Sequence, residues 1–312
     1  MIDVVRSFFE RAYEELLIRE IGDSPTHVAV IQDGNRRYAQ QQGKDSAAGH
    51  RAGAKTTELV LLWCKELDVE ELTLYAFSTE NFNRPESELH HLYDLLCEKL
   101  VEFADSVEVH ENDVEIRIIG ELEQLPERVQ QAAEYAMDQT AGYDRFKLNI
   151  ALAYGGRAEL LGAAQDIVDA VERGELEPSK IDLPEIEGRL YDSAVRNVDL
   201  IIRTGGDERT SNFLPWHANG NEAAVYFCTP YWPEFSKIDF LRAIRTYHHR
   251  EVSWQHSRRQ RARILVQALG ESELPTATRI LGSESVARDR LLEPDSDESR
   301  MEGSDISRPT SQ

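Results

Sequence analysis

"HVAVIQDGNRRYAQQQG", residues 27–43, joins an apolar run directly to a cluster of polar and basic residues. Residues 27–31 read as a short buried strand. Gln32-Asp33-Gly34-Asn35 then breaks the apolar run, and Arg36-Arg37 follows at once. Two readings fit this junction. It is an ordinary βα turn in which Asn35 caps the next helix. Or it is an anion site with a metal ligand at its edge, because a glycine turn into a helix start exposes backbone N–H groups.

Five further apolar runs share the first one's character, at 71–77, 114–119, 146–151, 198–203 and 223–228. Helical periodicity lies between them, near 49–67, 86–109, 126–140, 156–173 and 237–250. Strands alternating with helices, the strands apolar nearly throughout, predict an α/β fold. It is a single domain with a mainly parallel central sheet flanked by helices. In such sheets ligands bind beyond the carboxyl ends of strands. Asp33, Ser78 and Arg203 all fall at or just after such ends, which favours the second reading of the opening stretch.

The chain of 312 residues carries 57 acidic against 35 basic side chains, a net charge of -22. Only seven of the bases are Lys. This balance argues against nonspecific nucleic-acid binding. It reads as a surface built for concentrated salt, where the Debye length falls to about 3 Å at 1 M; a merely acidic mesophilic protein is the alternative. Three widely spaced cysteines, Cys64, Cys97 and Cys228, offer neither a disulfide framework nor a zinc site. No signal peptide and no long apolar run is visible, so a cytoplasmic protein is expected.

Residues 1–22 read as an amphipathic helix with Val5, Phe8, Phe9, Tyr13, Leu16 and Leu17 along one side. Packing is the expected use of that side, membrane-surface docking the alternative. The catalytic domain is expected over 23–270, and residues 282–312 read as a disordered acidic tail.

Three segments concentrate polar chemistry. The first is Asp33 to Tyr38. The second, "FSTENFNRP" at 77–85, is either a capped helix start or a loop that offers a hydroxyl, an amide and Arg84. The third, "RTGGDERTSNFLPW" at 203–216, sets Arg203 and Arg209 around a Gly-Gly turn. Guanidinium forks match diphosphate oxygens. Neither G-x-x-x-x-G-K-[ST] nor G-x-G-x-x-G occurs.

Taken together, these segments resemble the cis-prenyltransferases, the undecaprenyl diphosphate synthase family. "HVAVIQDGNRRYAQQQG", "LTLYAFSTENFNRP", "LNIALAYGGR" at 148–157 and "DLIIRTGGDERTSNFLPW" at 199–216 stand in the family's order across about 27–250. The Arg36-Arg37 pair and the acid-rich composition look like archaeal, salt-adapted members. The resemblance implies a hydrophobic product tunnel and usually a homodimer. It implies Mg²⁺-dependent addition of isopentenyl diphosphate to an allylic diphosphate with cis geometry. The acceptor expected is geranylgeranyl diphosphate and the product a tritrans,polycis chain of about undecaprenyl size, precursor of a glycosyl carrier lipid. Farnesyl diphosphate as acceptor, or a non-catalytic subunit of a heteromer, are the alternatives. Peripheral membrane contact would serve product release. Trans-type synthases use D-D-x-x-D motifs, and no adjacent Asp pair occurs here.

The resemblance also implies roles. Asp33 is the Mg²⁺-holding carboxylate and Glu222 a second one. Asn81, with Ser78, takes part in removing the isopentenyl proton; an amide is a poor base, so Asn81 reads as an orienter. Gly34, Asn35, Arg36, Arg37 and Tyr38 form the allylic diphosphate loop. His50, Thr79, Glu80, Phe82, Arg84, Arg203, Arg209, Thr210 and Ser211 complete the substrate site. Leu59, Leu62 and Trp63 on one helix and Leu89, Leu92, Tyr93 and Leu96 on another are candidates for the tunnel wall. The chain departs from the family pattern in three places. Ser46 stands where an Arg is common. The run after Glu222 is two residues longer than in bacterial members. No R-x-G motif occurs around 253–255.

Overall fold

The computed structural model describes residues 2–190, 197–218 and 223–268. Contacts divide the chain into one unit over Met1–Val252 and a second from Ser253 onward. The described part of the second is the end of a helix.

The first unit is built on six strands: β1 (His27–Ile31), β2 (Glu71–Tyr75), β3 (Val114–Ile119), β4 (Phe146–Ala151), β5 (Leu200–Arg203) and β6 (Ala224–Phe227). All pair in parallel, in the order β3-β4-β2-β1-β5-β6. Parallel neighbours need crossovers, which the helices supply. The helices are α1 (Ile2–Glu20), α2 (Asn35–Gln41), α3 (Ser46–Glu66), α4 (Glu86–Ala104), α5 (Val107–Glu111), α6 (Glu127–Gln139), α7 (Gly156–Glu172), α8 (Leu183–Glu187) and α9 (Lys237–Ala268); those between strands make the crossovers, while α1 precedes β1 and α9 follows β6.

The expected strands all form, one or two residues shorter at some ends. Two helix expectations change for local reasons. The Asp45 carboxylate caps the Ala48 N–H at 2.8 Å, so α3 starts at Ser46 rather than 49 and His50 lies inside its first turns. The run at 86–109 is two helices, because Ser106 caps Val109 and restarts the chain as α5.

Val28, Val30, Leu72, Leu148 and Leu200 are wholly buried. Burying each such side chain contributes about 1.5–3 kcal/mol. The larger core packs strands against α3, α4, α6 and α9; a smaller one, with Tyr154, Phe213 and Leu214, covers the opposite face. On α1, Leu17 is buried while Phe9 and Leu16 are exposed, so the expected stripe is only partly covered. Tyr13 sits under the Arg242 guanidinium, 5.3 Å from its ring centre, and Glu20 pairs with Arg245 at 2.9 Å. The expected tail at 282–312 lies outside the described residues.

Register places the site. Ile31 at the end of β1 is level with Tyr75 on β2 and Arg203 on β5. The loops that follow these three neighbouring strands therefore open at one edge of the sheet.

Candidate active site

Gly34, not Asn35, caps α2; its φ is 103°. A Cβ there would strike Tyr231 at 2.5 Å, so only glycine makes this turn. Asn35 is instead the first helical residue, and its amide donates back to the Gln32 carbonyl at 3.2 Å. The Asp33 backbone is clamped from two distant segments. Its N–H donates to the Thr204 hydroxyl at 3.0 Å, the Thr204 hydroxyl donates to the Asp33 carbonyl at 2.7 Å, and the Trp232 N–H donates to that same carbonyl at 2.9 Å.

Arg203 is 3% exposed and spreads its fork across the site. Nη2 donates to Asp33 Oδ2 at 2.7 Å and to Asp207 Oδ2 at 3.2 Å. Nη1 donates to the Arg209 carbonyl and to Ser211 Oγ, both at 2.6 Å. Arg37 approaches Asp33 Oδ1 at 3.0 Å from the other side and lies over the Tyr231 ring. Arg209 reaches Asp207 at 3.0 Å and Ser211 at 3.2 Å. Burial works against ionising Asp33, but Arg203 and Arg37 outweigh it and hold its pKa below the ordinary carboxylate value.

The loop carrying Arg203, Arg209 and Ser211 has a built support. Gly205 and Gly206 take φ of 87° and 81°, and Ser211 itself sits at 48°. The Tyr75 hydroxyl, its pKa pushed up to about 12 chiefly by burial, donates to the Ser211 carbonyl at 3.4 Å and to that of Tyr154 at 3.2 Å. Phe213 stacks on Tyr75 at 4.4 Å. Asn212 Oδ1 accepts from the Arg157 N–H, tying the loop to the start of α7.

A second charged group stands on α4. The Glu88 carboxylate, 9% exposed, meets Arg84 at 2.8 Å, Arg36 at 3.4 Å and His50 at 3.8 Å. Burial, helped by Arg84, lowers the His50 pKa to about 4 against the pull of Glu88. His50 is therefore neutral at ordinary pH.

"FSTENFNRP" is indeed a capped helix start. A short 3₁₀ turn runs over Thr79–Asn83, and the Ser78 N–H donates to Asn81 Oδ1 at 3.1 Å. The same loop still faces the cavity. A cavity of about 610 Å³ is lined by Asp33, Gly34, Asn35, Arg36, Arg37, His50, Ser78, Glu80, Asn81, Arg84, Arg203, Arg209 and Ser211. Four candidates stand back from its wall: Tyr38, Thr79, Phe82 and Thr210. Phe82 packs edge-on against Phe77. Glu222 lies outside the described residues.

Away from the charges the wall is apolar. Leu92 and Leu96 line it, joined by Leu95, Leu100, Phe103 and Ile150. Leu59 and Leu62 do not; they are 47% and 49% exposed, on the outer side of α3. Trp63 packs in the core against Phe235 and Phe240. Leu89 and Tyr93 are also core residues.

Sequence reasoning missed Asp207, Glu88, Thr204 and Trp232. Two of these had a signal: Asp207 and Glu88 each follow an arginine by four residues, a spacing that brings side chains together on a helix or a tight turn.

The arginine cluster and the apolar wall thus line one cavity at the carboxyl edge of the sheet. Residues 31–255 match the family model described as "Putative undecaprenyl diphosphate synthase". The chain belongs to the undecaprenyl diphosphate synthase family of prenyltransferases. A tritrans,polycis-undecaprenyl-diphosphate synthase (geranylgeranyl-diphosphate specific) of Halobacterium salinarum is 64% identical over 269 residues, 86% of this chain and 89% of that protein. The protein of the same name from Haloarcula marismortui is 62% identical, over 87% of this chain and 89% of its own length. Among solved structures, lavandulyl diphosphate synthase from Lavandula x intermedia, in complex with dimethylallyl diphosphate, superposes with a TM-score of 0.66. It is 32% identical, over 72% of this chain and 95% of that one. The archaeal character expected of this prenyltransferase is thus matched by haloarchaeal relatives.

Proposed function

We propose that this prenyltransferase adds isopentenyl diphosphate units, in cis, to geranylgeranyl diphosphate, giving a tritrans,polycis-undecaprenyl diphosphate that serves as precursor of a glycosyl carrier lipid. The observation that carries the reading is one cavity with two ends. Arg37, Arg203, Arg209 and Asp33 gather at the polar end, and leucines line the other. A diphosphate and its hydrocarbon tail need that division.

The residues fit Mg²⁺. Among the described residues no group of three or more His, Cys, Asp or Glu could form an all-protein metal cage. Mg²⁺ asks for less: one or two carboxylates, with water and substrate phosphates completing its shell. Asp33, ionised and facing the cavity, would supply the carboxylate, and Glu222 is the second candidate. Bound there, Mg²⁺ would neutralise charge on the departing diphosphate.

The chain's own side chains divide the rest. Arg37, Arg203 and Arg209, with Ser211, hold the diphosphates, and Arg84 and Arg36 extend the positive wall. Asp33 and Asp207 hold these donors in orientation before substrate arrives, so they meet the leaving anion with little reorientation. Asn81 spends its amide oxygen on the Ser78 N–H. Its amide nitrogen is left to donate, which suits an orienter; a diphosphate oxygen is the better proton acceptor. Neutral His50 can donate or accept beside Arg84.

We place the catalytic domain at 23–270, following the N-terminal helix, and take the working form to be a homodimer in the cytoplasm with peripheral membrane contact. Among the described residues no helix is long and apolar enough to cross a membrane. A regulatory, non-catalytic subunit would have no need of the intact Asp33–Arg203 pair.

Both acceptors carry the same diphosphate, so only the apolar wall chooses between them. One more isoprene unit adds five carbons, each worth up to about 0.8 kcal/mol when buried. In competition at equal concentration with Mg²⁺, the expected result is a higher kcat/KM for geranylgeranyl than for farnesyl diphosphate. The reverse order would sink the acceptor assignment and leave the reaction class in place.

Salt supplies a further check. With a net charge of -22 meeting polyanionic substrates, dilute buffer should slow encounter and loosen the fold. Activity is expected to rise into molar KCl. An optimum below about 0.2 M, where screening lengths are still ~8–10 Å, would contradict a salt-adapted surface.

A further inference from the structure

The side chain that ends the cavity face of β1 is polar. Val28 and Val30 pack in the larger core, and Leu74 of β2 and Ile150 of β4, in that same core, line the cavity. Strand alternation puts residue 32 next on this side, and it is Gln32. Gln32 lines the cavity too, and its Nε2 donates to Thr57 Oγ1 on α3 at 2.8 Å. The Thr57 hydroxyl donates on to the Gly53 carbonyl at 3.2 Å. A hydroxyl has a single hydrogen. With it given to Gly53, Thr57 can only accept, so the Gln32 amide turns its nitrogen to α3 and its oxygen away. That oxygen has no hydrogen-bond partner among the described residues and is not sealed in the core, so it opens on the cavity. An acceptor left open in a largely apolar wall costs free energy until something meets it.

We propose that Gln32 is a catalytic residue of the condensation, its amide oxygen set against the allylic carbons of the acceptor, and that Thr57 positions it. The proposal rests on the cavity being the condensation site. With the diphosphate among Arg37 and Arg203 and the tail among the leucines, the allylic carbons between them pass beside Gln32. In the reaction the C1–O bond of the acceptor breaks and its electron pair leaves with the diphosphate. C1 bonds to the terminal CH₂ carbon of isopentenyl diphosphate, and the C2 proton of that unit goes to a diphosphate oxygen. As the first bond breaks, positive charge spreads over C1 and C3 of the acceptor. The negative end of a fixed amide dipole lowers its energy where apolar walls keep the dielectric low. Gln32 forms no bond in this step. It also carries no net charge, so it does not repel the diphosphates as a carboxylate in its place would.

The test separates charge from shape. Full-length protein in molar KCl with Mg²⁺ is given two unreactive mimics of geranylgeranyl diphosphate, and their inhibition constants are compared. One is the aza analogue, with a protonated nitrogen in place of C3. The other is the thiolo analogue, with sulfur for the bridging oxygen and no positive charge. Gln32→Leu is expected to weaken the aza analogue, and to lower kcat, by about tenfold. That is less than the ~10²–10³ of a donor facing a localised anion, because the cation is spread over two carbons. Affinity for the thiolo analogue and the KM for isopentenyl diphosphate should stay within about twofold, as for a group that acts in the transition state alone. Thr57→Val keeps shape but frees the amide, and should shift the aza analogue the same way by a smaller factor; Thr57→Ser should restore the wild-type preference. This pair carries the test if Gln32→Leu does not fold. Equal weakening of both mimics, or wild-type affinity for the aza analogue, in Gln32→Leu or in Thr57→Val used in its place, would overturn the proposal. Failure of the wild-type protein to elongate geranylgeranyl diphosphate at all would instead overturn the reading on which it rests.

Discussion

Asp33→Ala is expected to abolish condensation while the protein stays folded. The sheet does not use this carboxylate; its backbone is what Thr204 and Trp232 grip. Arg203 would keep Asp207, Ser211 and the Arg209 carbonyl as partners. The loss in kcat should be at least about 10²–10³, the worth of a single preorganised group acting on a developing anion. The melting temperature in molar KCl should move by no more than about 4 °C, the shift that ~1 kcal/mol produces in a chain of this size. A folded variant with substantial activity would remove Asp33 from the metal and diphosphate site.

Arg203→Lys is the second large effect, and it should strike both rate and stability. A lysine keeps the charge but loses the fork, and the fork is what reaches four acceptors at once. Asp33 and Asp207 converge on the same nitrogen, so an ammonium that falls short leaves two carboxylates facing each other. The expected outcome is a fall of about 10²–10³ in kcat/KM for isopentenyl diphosphate, with a loss of about 2–4 kcal/mol in denaturant unfolding. Wild-type kinetics in Arg203→Lys would show that the buried guanidinium is scaffolding only.

The strands and their loops were legible because they are local. Apolar runs of the right length mark buried parallel strands, and residues placed after three of them fall at one sheet edge whatever the details. Thr204 and Trp232 were not legible. Their bonds to Asp33 join positions that are far apart in sequence, and neither residue type announces such a role. Leu59 and Leu62 failed for a related reason: helical periodicity places residues on faces but does not say which face meets the cavity. α3 turned Trp63, Cys64 and Val60 inward and left the two leucines outside. Asn35, which one of the two readings makes a cap, is not one, because its neighbour, held at φ 103° against Tyr231, already fills that position.

The carboxylates that share the basic pocket have a consequence for turnover. Asp33, Asp207 and Glu88 already engage Arg37, Arg203, Arg209, Arg84 and Arg36. An arriving diphosphate therefore finds its partners oriented, and little ordering entropy is lost on contact. It must also displace anions that are there in advance, so its affinity stays below what five unopposed guanidiniums would give. For a chain that elongates one product through repeated additions, moderate grip is an advantage. At every addition the old diphosphate leaves and the product, now carried on the added unit's diphosphate, must be let go and seated again as the next acceptor; an internal competitor keeps each of those states within reach of the next.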